Sequence, residues 1–172
     1  VVALGKFDGM HKGHQLIFDE LIQYKQLGYQ AAVFSFDRPP LNMLKHKHMR
    51  VIYTTNEKIK LLARRGIDIY IEHPFTDEFS HLSPEDFVIK VLLEKTGMKV
   101  LVVGDDCGFG YKRQGNVELL ERMSKEYDFK LIVISKLELE GEIVSSTRIR
   151  HLLSEGKVEE ANRLMEDPFM IC

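Results

Sequence analysis

Gly5-Lys6-Phe7-Asp8-Gly9-Met10-His11-Lys12-Gly13-His14 is the stretch from which the fold is read. The apolar run of residues 1–4 leads into it. Leu16, Ile17, Leu21, Ile22 and Tyr24 then recur at helical spacing, with Gly28 as a stop. The order is strand, tight turn, helix start. Glycines let the backbone turn sharply and approach a ligand closely. A helix N-terminus offers free N–H donors and the positive end of its dipole, which suits phosphate. His11 and His14 share one helix face, so both can point at the same anion. The stretch is neither the phosphate loop that ends in Lys-Ser or Lys-Thr nor the dinucleotide fingerprint, because Gly5, Gly9 and Gly13 are evenly spaced.

Outward from this turn, strands alternate with helices. Residues 31–36 form a β-rich apolar run that Pro39 and Pro40 end. Residues 41–50 are a basic insert with Lys45, His46, Lys47 and His48, read as a solvated loop or as a lid over a phosphate-bearing substrate. Thr54-Thr55-Asn56-Glu57 is a capping box that opens a helix carrying Ile59, Leu61 and Leu62. Ile67, Ile69 and Ile71 alternate with polar neighbours, as in a half-exposed strand. Ser83-Pro84-Glu85-Asp86 starts a helix to about Lys95. Residues 100–103 are a buried strand, and a second glycine-rich loop over 104–116 carries Asp105, Asp106, Phe109 and Arg113. Asn116 caps the next helix, with Leu119, Leu120 and Met123 inward. Residues 131–134 are a strand and 137–144 a small hairpin or arm split by Gly141. Ser145-Ser146-Thr147 caps a short helix with Ile149, Leu152 and Leu153, and residues 158–165 form a last helix.

This alternation predicts one α/β domain over 1–172, a doubly wound, Rossmann-like parallel sheet with helices on both faces. Such sheets bind ligands beyond the carboxyl ends of their strands, where strand order reverses. The three loops singled out all fall at that end. The 172 residues suffice for a real core, with 44% hydrophobic and 29% charged residues. A formal net charge of -2 excludes a broad electrostatic footprint for nucleic acid. Cys107 and Cys172 make no disulfide framework, no apolar run reaches membrane-span length, and no signal peptide is visible, so a cytoplasmic home is expected. The first residue is Val, which points to natural residues ahead of it. No His, Cys or Asp cluster has zinc-ligand spacing, and no protein-held metal is expected.

The turn resembles the HxGH signature of the nucleotidyltransferase superfamily, and residues 144–150 resemble its second signature, Ile/Val-Ser-Ser-Thr-x-Ile-Arg. More narrowly, the chain resembles the FMN adenylyltransferase module of bacterial FAD synthetases. Phe7-Asp8-Gly9-x-His11, Thr54-Thr55-Asn56-Glu57-Lys58 with Gly66-Ile67-Asp68, and Phe75 and Phe79 with Leu82-Ser83-Pro84-Glu85 carry that resemblance. So does Val103-Gly104-Asp105-Asp106 through Phe109-Gly110 and Arg113-x-Gly115. It covers essentially the whole chain. Two departures stand out. Ser35-Phe36-Asp37-Arg38-Pro39-Pro40 lacks the family's usual His, and Cys107 replaces a common aromatic. Nothing matches the riboflavin kinase domain that full bacterial FAD synthetases append, which leaves a single-function protein or a fragment.

The resemblance implies transfer of AMP from ATP to FMN, giving FAD and pyrophosphate. It makes His11, His14 and Arg150 the catalytic candidates. It places ATP against Gly5, Phe7, Asp8, Gly9, Gly13, Ser145, Ser146 and Thr147, with Asp8 fixing the turn by local hydrogen bonds. Phe36, Asp37, Asp106 and Phe109 are the flavin-side candidates, Phe109 by stacking and Asp106 by accepting from ring N–H groups. Mg²⁺ is expected with ATP, held mainly by phosphates and water. A riboflavin kinase domain or protein would supply FMN. Two alternatives remain: another phosphate acceptor, such as phosphopantetheine, glycerol phosphate or nicotinamide mononucleotide, and a flavin- or nucleotide-binding module without turnover.

Overall fold

The computed structural model describes residues 1–37 and 51–167. The basic insert over 41–50, the Arg38-Pro39-Pro40 departure and Pro168 lie outside them. β1 (Val2–Leu4) leads to α1 (Lys12–Gln26) and β2 (Ala32–Phe36); α2 (Thr55–Arg64) leads to β3 (Ile69–His73). Two short helices follow, α3 (Asp77–Ser80) and α4 (Pro84–Asp86), the second continuing as a π-helix over Phe87–Lys95. Then come β4 (Val100–Gly104), α5 (Val117–Glu126), β5 (Lys130–Ile134), the hairpin β6 (Glu138–Leu139) and β7 (Glu142–Ile143), α6 (Ser146–Ser154) and α7 (Val158–Leu164).

The five long-range strands form one parallel sheet in the order β3-β2-β1-β4-β5. β1 pairs with β2 on one side, Ala3 opposite Val33, and with β4 on the other, Ala3 opposite Val102. The chain thus winds outward from β1 in both directions, and the switch point lies between β1 and β4. The apolar runs of β1, β2 and β4 are continuous because both sheet faces are covered. Ala3, Val33 and Val102 meet α1, α2, α6 and α7 through Phe18, Leu62, Ile149 and Leu164. Leu4, Phe34 and Leu101 meet the π-helix and α5 through Phe87, Leu92, Leu120 and Met123. The expected doubly wound architecture is what the residues build.

Local chemistry sets most boundaries. Thr54 caps α2 with its hydroxyl accepting from Glu57 N–H, and the Glu57 carboxylate accepts from Thr54 N–H. Ser83 caps α4, with Pro84 in the first turn. Of the apolar residues on α2, Leu61 and Leu62 are buried with Lys58, and Ile59 is 44% exposed. One expectation needs correction. The helix expected to run evenly to Lys95 widens to π geometry after Asp86, which apolar spacing does not signal.

The loop after β4 is pressed onto the start of that helix. Tyr111 N–H donates to Leu82 O at 2.8 Å. Gly110 has φ +68°, and a β-carbon there would stand 2.6–2.8 Å from Pro84, mostly from its backbone. Gly110→Ala is therefore expected to cost roughly 2–4 kcal/mol in urea unfolding, from left-handed strain plus an unrelieved clash. A loss within about 0.5 kcal/mol, the range of a neutral surface change, would mean the loop is not pinned there.

Candidate active site

A cleft of about 330 Å³ opens at the switch point, within the usual size range for small-molecule sites. The turn after β1 lines it with Gly5, Phe7, His11, Gly13 and His14. The ends of β2 and β4 add Phe36, Asp106 and Phe109, and the entry to α6 adds Ser145 and Ser146. Ten of the sequence-derived candidates thus come together. Asp8, Gly9, Asp37, Thr147 and Arg150 do not line the cleft.

Left-handed φ falls on Phe7 (48°) and Met10 (42°), not on Gly5, Gly9 or Gly13. The glycines supply room instead. A β-carbon on Gly9 would meet Ser146 Oγ at 3.2 Å and Ile149 at 3.3 Å. That closeness lets Gly9 N–H donate to Ser146 Oγ at 3.3 Å, joining segments 137 residues apart. Phe7, 1% exposed, anchors the turn and meets His14 edge to face at 5.1 Å.

His11 is the N-cap of α1, and its Nδ1 accepts from His14 N–H at 3.3 Å. The bond fixes the tautomer: Nδ1 is bare, and Nε2 carries the hydrogen. His14 stacks on His11 with centroids 3.5 Å apart. Burial pushes His11 down to about 4. Burial, and then the His11 ring, holds His14 well below the usual imidazole range. Both rings are therefore neutral at pH 7. Buried Nδ1 of His14 has no partner among the described residues, which leaves Nε2 as that ring's donor.

Between the ordinary 6.5 and about 4, the unfolded chain binds a proton at His11 that the folded chain refuses. Stability is full above pH 6.5 and is lost as pH falls through that window. Urea unfolding at pH 4.5 is expected to show about 2–3 kcal/mol less stability than at pH 7 from His11 alone. His11→Asn keeps an N-cap acceptor and should flatten that slope. An equal slope in the variant would assign the loss to other groups.

The serines are prepared in the same way. Ser145 Oγ caps α6 by accepting from Arg148 N–H at 3.2 Å, and Ser146 Oγ accepts from Gly9 N–H. With their lone pairs engaged by backbone, both hydroxyl hydrogens are free to donate. Thr147 is exposed on the outer side of the helix start.

Arg150 is not an open phosphate fork. Its Nε and Nη2 both donate to Asp8 Oδ2, at 3.2 and 2.8 Å. Asp8 Oδ1 also accepts from Ile52 N–H at 3.2 Å. Asp8 was expected to make local bonds in its turn; it instead ties the turn to α6 and to the segment ahead of α2. On the flavin side, Asp106 pairs with Lys136 Nζ at 3.2 Å rather than standing open. Asp37 accepts from Phe75 N–H at 2.8 Å, which turns it from the cleft. Phe109 is 5% exposed and packs on Phe87, so it is core with an edge at the cleft. Phe36 remains at the rim, among Phe34, Phe75, Phe79 and Phe87. Sequence reasoning gave no role to Lys6, Arg113 or Lys136, which also line the cleft. For Lys6 and Arg113 the available signal was their position within the two glycine-rich loops; Lys136, just after β5, gave none. Cys107 is there too, with burial pushing its thiol up to about 12, so it is unreactive.

The FAD synthetase family profile matches residues 1–148. A bifunctional riboflavin kinase/FMN adenylyltransferase of Buchnera aphidicola subsp. Schizaphis graminum is 38% identical over 99% of the chain and 55% of its own length. An FAD synthetase of Listeria monocytogenes serovar 1/2a is 32% identical over 99% of the chain and 70% of its own length. The chain thus spans little more than half the length of the bifunctional relatives. Among solved structures, a macrolide-efflux protein from Streptococcus pneumoniae superposes with a TM-score of 0.88 at 29% identity, over 98% of this chain and 57% of that one.

Proposed function

This chain belongs to the FAD synthetase family, and on that premise we propose that residues 1–172 are one adenylyltransferase module that makes FAD from ATP and FMN. A 5'-phosphate oxygen of FMN attacks the α-phosphorus of ATP. The bond from that phosphorus to the bridging oxygen breaks, and pyrophosphate leaves with the electron pair. A phosphate monoester is already anionic at pH 7, so no base is required. The protein's work is to hold two polyanions in line and to stabilise the charge of the transition state.

The observation that carries this reading is the Gly9–Ser146 junction, which sets two neutral imidazoles and two serine hydroxyls along one cleft. Nε2–H of His11, Nε2–H of His14 and the hydroxyls of Ser145 and Ser146 are four neutral donors aimed at one triphosphate. Neutral donors fixed by backbone need no reorganisation when charge develops. Among the described residues no group of three His, Cys, Asp or Glu side chains converges on a metal position. Mg²⁺ would enter with the nucleotide, held mainly by its phosphates and water.

FMN would come from a riboflavin kinase domain or protein, and a cytoplasmic setting suits substrates of this kind. No helix among the described residues is long and apolar enough to cross a membrane. Offering ATP with FMN, phosphopantetheine, nicotinamide mononucleotide or glycerol phosphate, one at a time, tests the reading. Pyrophosphate release with FMN alone is expected. Release with another acceptor and none with FMN would overturn it, as would tight flavin binding with no release at all.

A further inference from the structure

Arg113 lies across Gly108. A β-carbon on Gly108 would stand 2.7–2.9 Å from Nη2, Nε and Cζ of Arg113, so the guanidinium fills the space a side chain there would need. The backbone that sends it back is strained. Lys112 and Arg113 both hold left-handed φ, 50° and 58°, at a cost of about 1–2 kcal/mol each. Strain of this kind persists where the surroundings fix it, and it clusters at ligand clamps. The guanidinium lines the cleft. A 3.5 Å contact to the Asp106 carbonyl oxygen is its hydrogen bond among the described residues, and no carboxylate there forms an ion pair with it.

Lys6 reaches the same cleft from the turn after β1. Its carbonyl oxygen accepts from the buried hydroxyl of Ser35 at 3.3 Å. Its ammonium makes no ion pair among the described residues. Burial, then the charges of Arg113 and Arg150, lower its pKa. Asp8, the nearby acid, is engaged by Arg150. Lys6 is half-buried, Arg113 is exposed at the cleft, and Lys6 feels the charge of Arg113; an arriving dianion relieves that repulsion.

We propose that Arg113 and Lys6 form the subsite for the acceptor's own phosphate and so select FMN over riboflavin. The identity of the acceptor rests on the AMP-transfer reading; the preference for a phosphorylated flavin does not. ATP's triphosphate is assigned to the imidazoles and serines at the starts of α1 and α6. Arg113 comes instead from the loop after β4, a separate wall from which a second phosphate is to approach. A planar fork over one phosphate, supported by a point charge, suits a terminal monoester.

The test is binding of FMN, riboflavin and ATP, each alone, to the wild type and to Arg113→Gln, Lys6→Gln and Gly108→Ala. The last displaces the guanidinium without removing a charge. Wild-type protein should prefer FMN to riboflavin. Each variant should lose about tenfold to hundredfold in FMN affinity while riboflavin and ATP affinities stay within about twofold. Thermal melting checks folding, and Arg113→Lys should recover part of the FMN preference if charge is what matters. An FMN-to-riboflavin ratio unchanged in all three variants would overturn the subsite, as would a loss confined to ATP. Wild-type protein that prefers FMN yet makes no FAD keeps the subsite and removes the AMP-transfer reading. Wild-type protein that makes FAD while the variants keep its ratio does the reverse.

Discussion

Alanine in place of His14 is expected to lower turnover by about 10²–10³-fold, the loss typical of removing one fixed donor to a developing oxyanion. FMN affinity should stay within about twofold, since the contact is made to ATP and strengthens in the transition state. The structure explains why this residue should matter so much. Its Nδ1 is buried without a partner among the described residues, and its ring is clamped between Phe7 and the stacked His11. A buried bare acceptor is tolerated better than a buried orphan N–H, so the hydrogen belongs on Nε2. Steady-state kinetics with ATP varied at saturating FMN would check this. Unchanged kcat in a folded variant would take His14 out of the mechanism.

The second large effect is on stability. Asp8 and Arg150 are 14% and 21% exposed at their side chains, and each is the other's charge partner. Asp8→Ala leaves a largely buried guanidinium uncompensated, and it also frees Ile52 N–H from its acceptor. Breaking such a pair from one side costs about 3–5 kcal/mol when fully buried; at this exposure about 2–4 kcal/mol is expected. Arg150→Ala should cost a similar amount by stranding Asp8, and should weaken use of ATP by loosening α6 beneath Ser146. The double variant should be less damaged than the sum, by about 1–3 kcal/mol. Urea unfolding of all four proteins measures that coupling. Additive losses would show that the pair does not act as a unit.

Much of the architecture was legible because its signals are local. The strands at the sheet centre are unbroken apolar runs, and Thr54, Ser83, Asn116 and Ser145 each mark a helix start by a cap that the structure contains. The switch-point cleft followed from strand order. What was not legible depends on residues far apart in the chain. Nothing near Asp8 announces that its partner is Arg150, 142 positions away. Phe36, the last residue of β2, and Phe109, in the loop after β4, are the same residue type, yet Phe109 is packed under Gly115 and Phe36 stands at the rim. The glycines of the first turn were read as allowing a sharp turn and close approach, but that the close neighbours are Ser146 and His11 was not legible. Arg113 was legible as part of the loop that carries the family resemblance, but its fold over Gly108 was not.

The central claim is that two stacked neutral imidazoles and a pair of capped serines converge on one triphosphate to move AMP. Its most direct measurement uses ATP labelled at the α-phosphorus, incubated with FMN and this chain, with separation of the flavin products. The account predicts label in FAD, unlabelled pyrophosphate in equal amount, and loss of both in His14→Ala. Label that remains in ATP while FMN is bound at the cleft would contradict it.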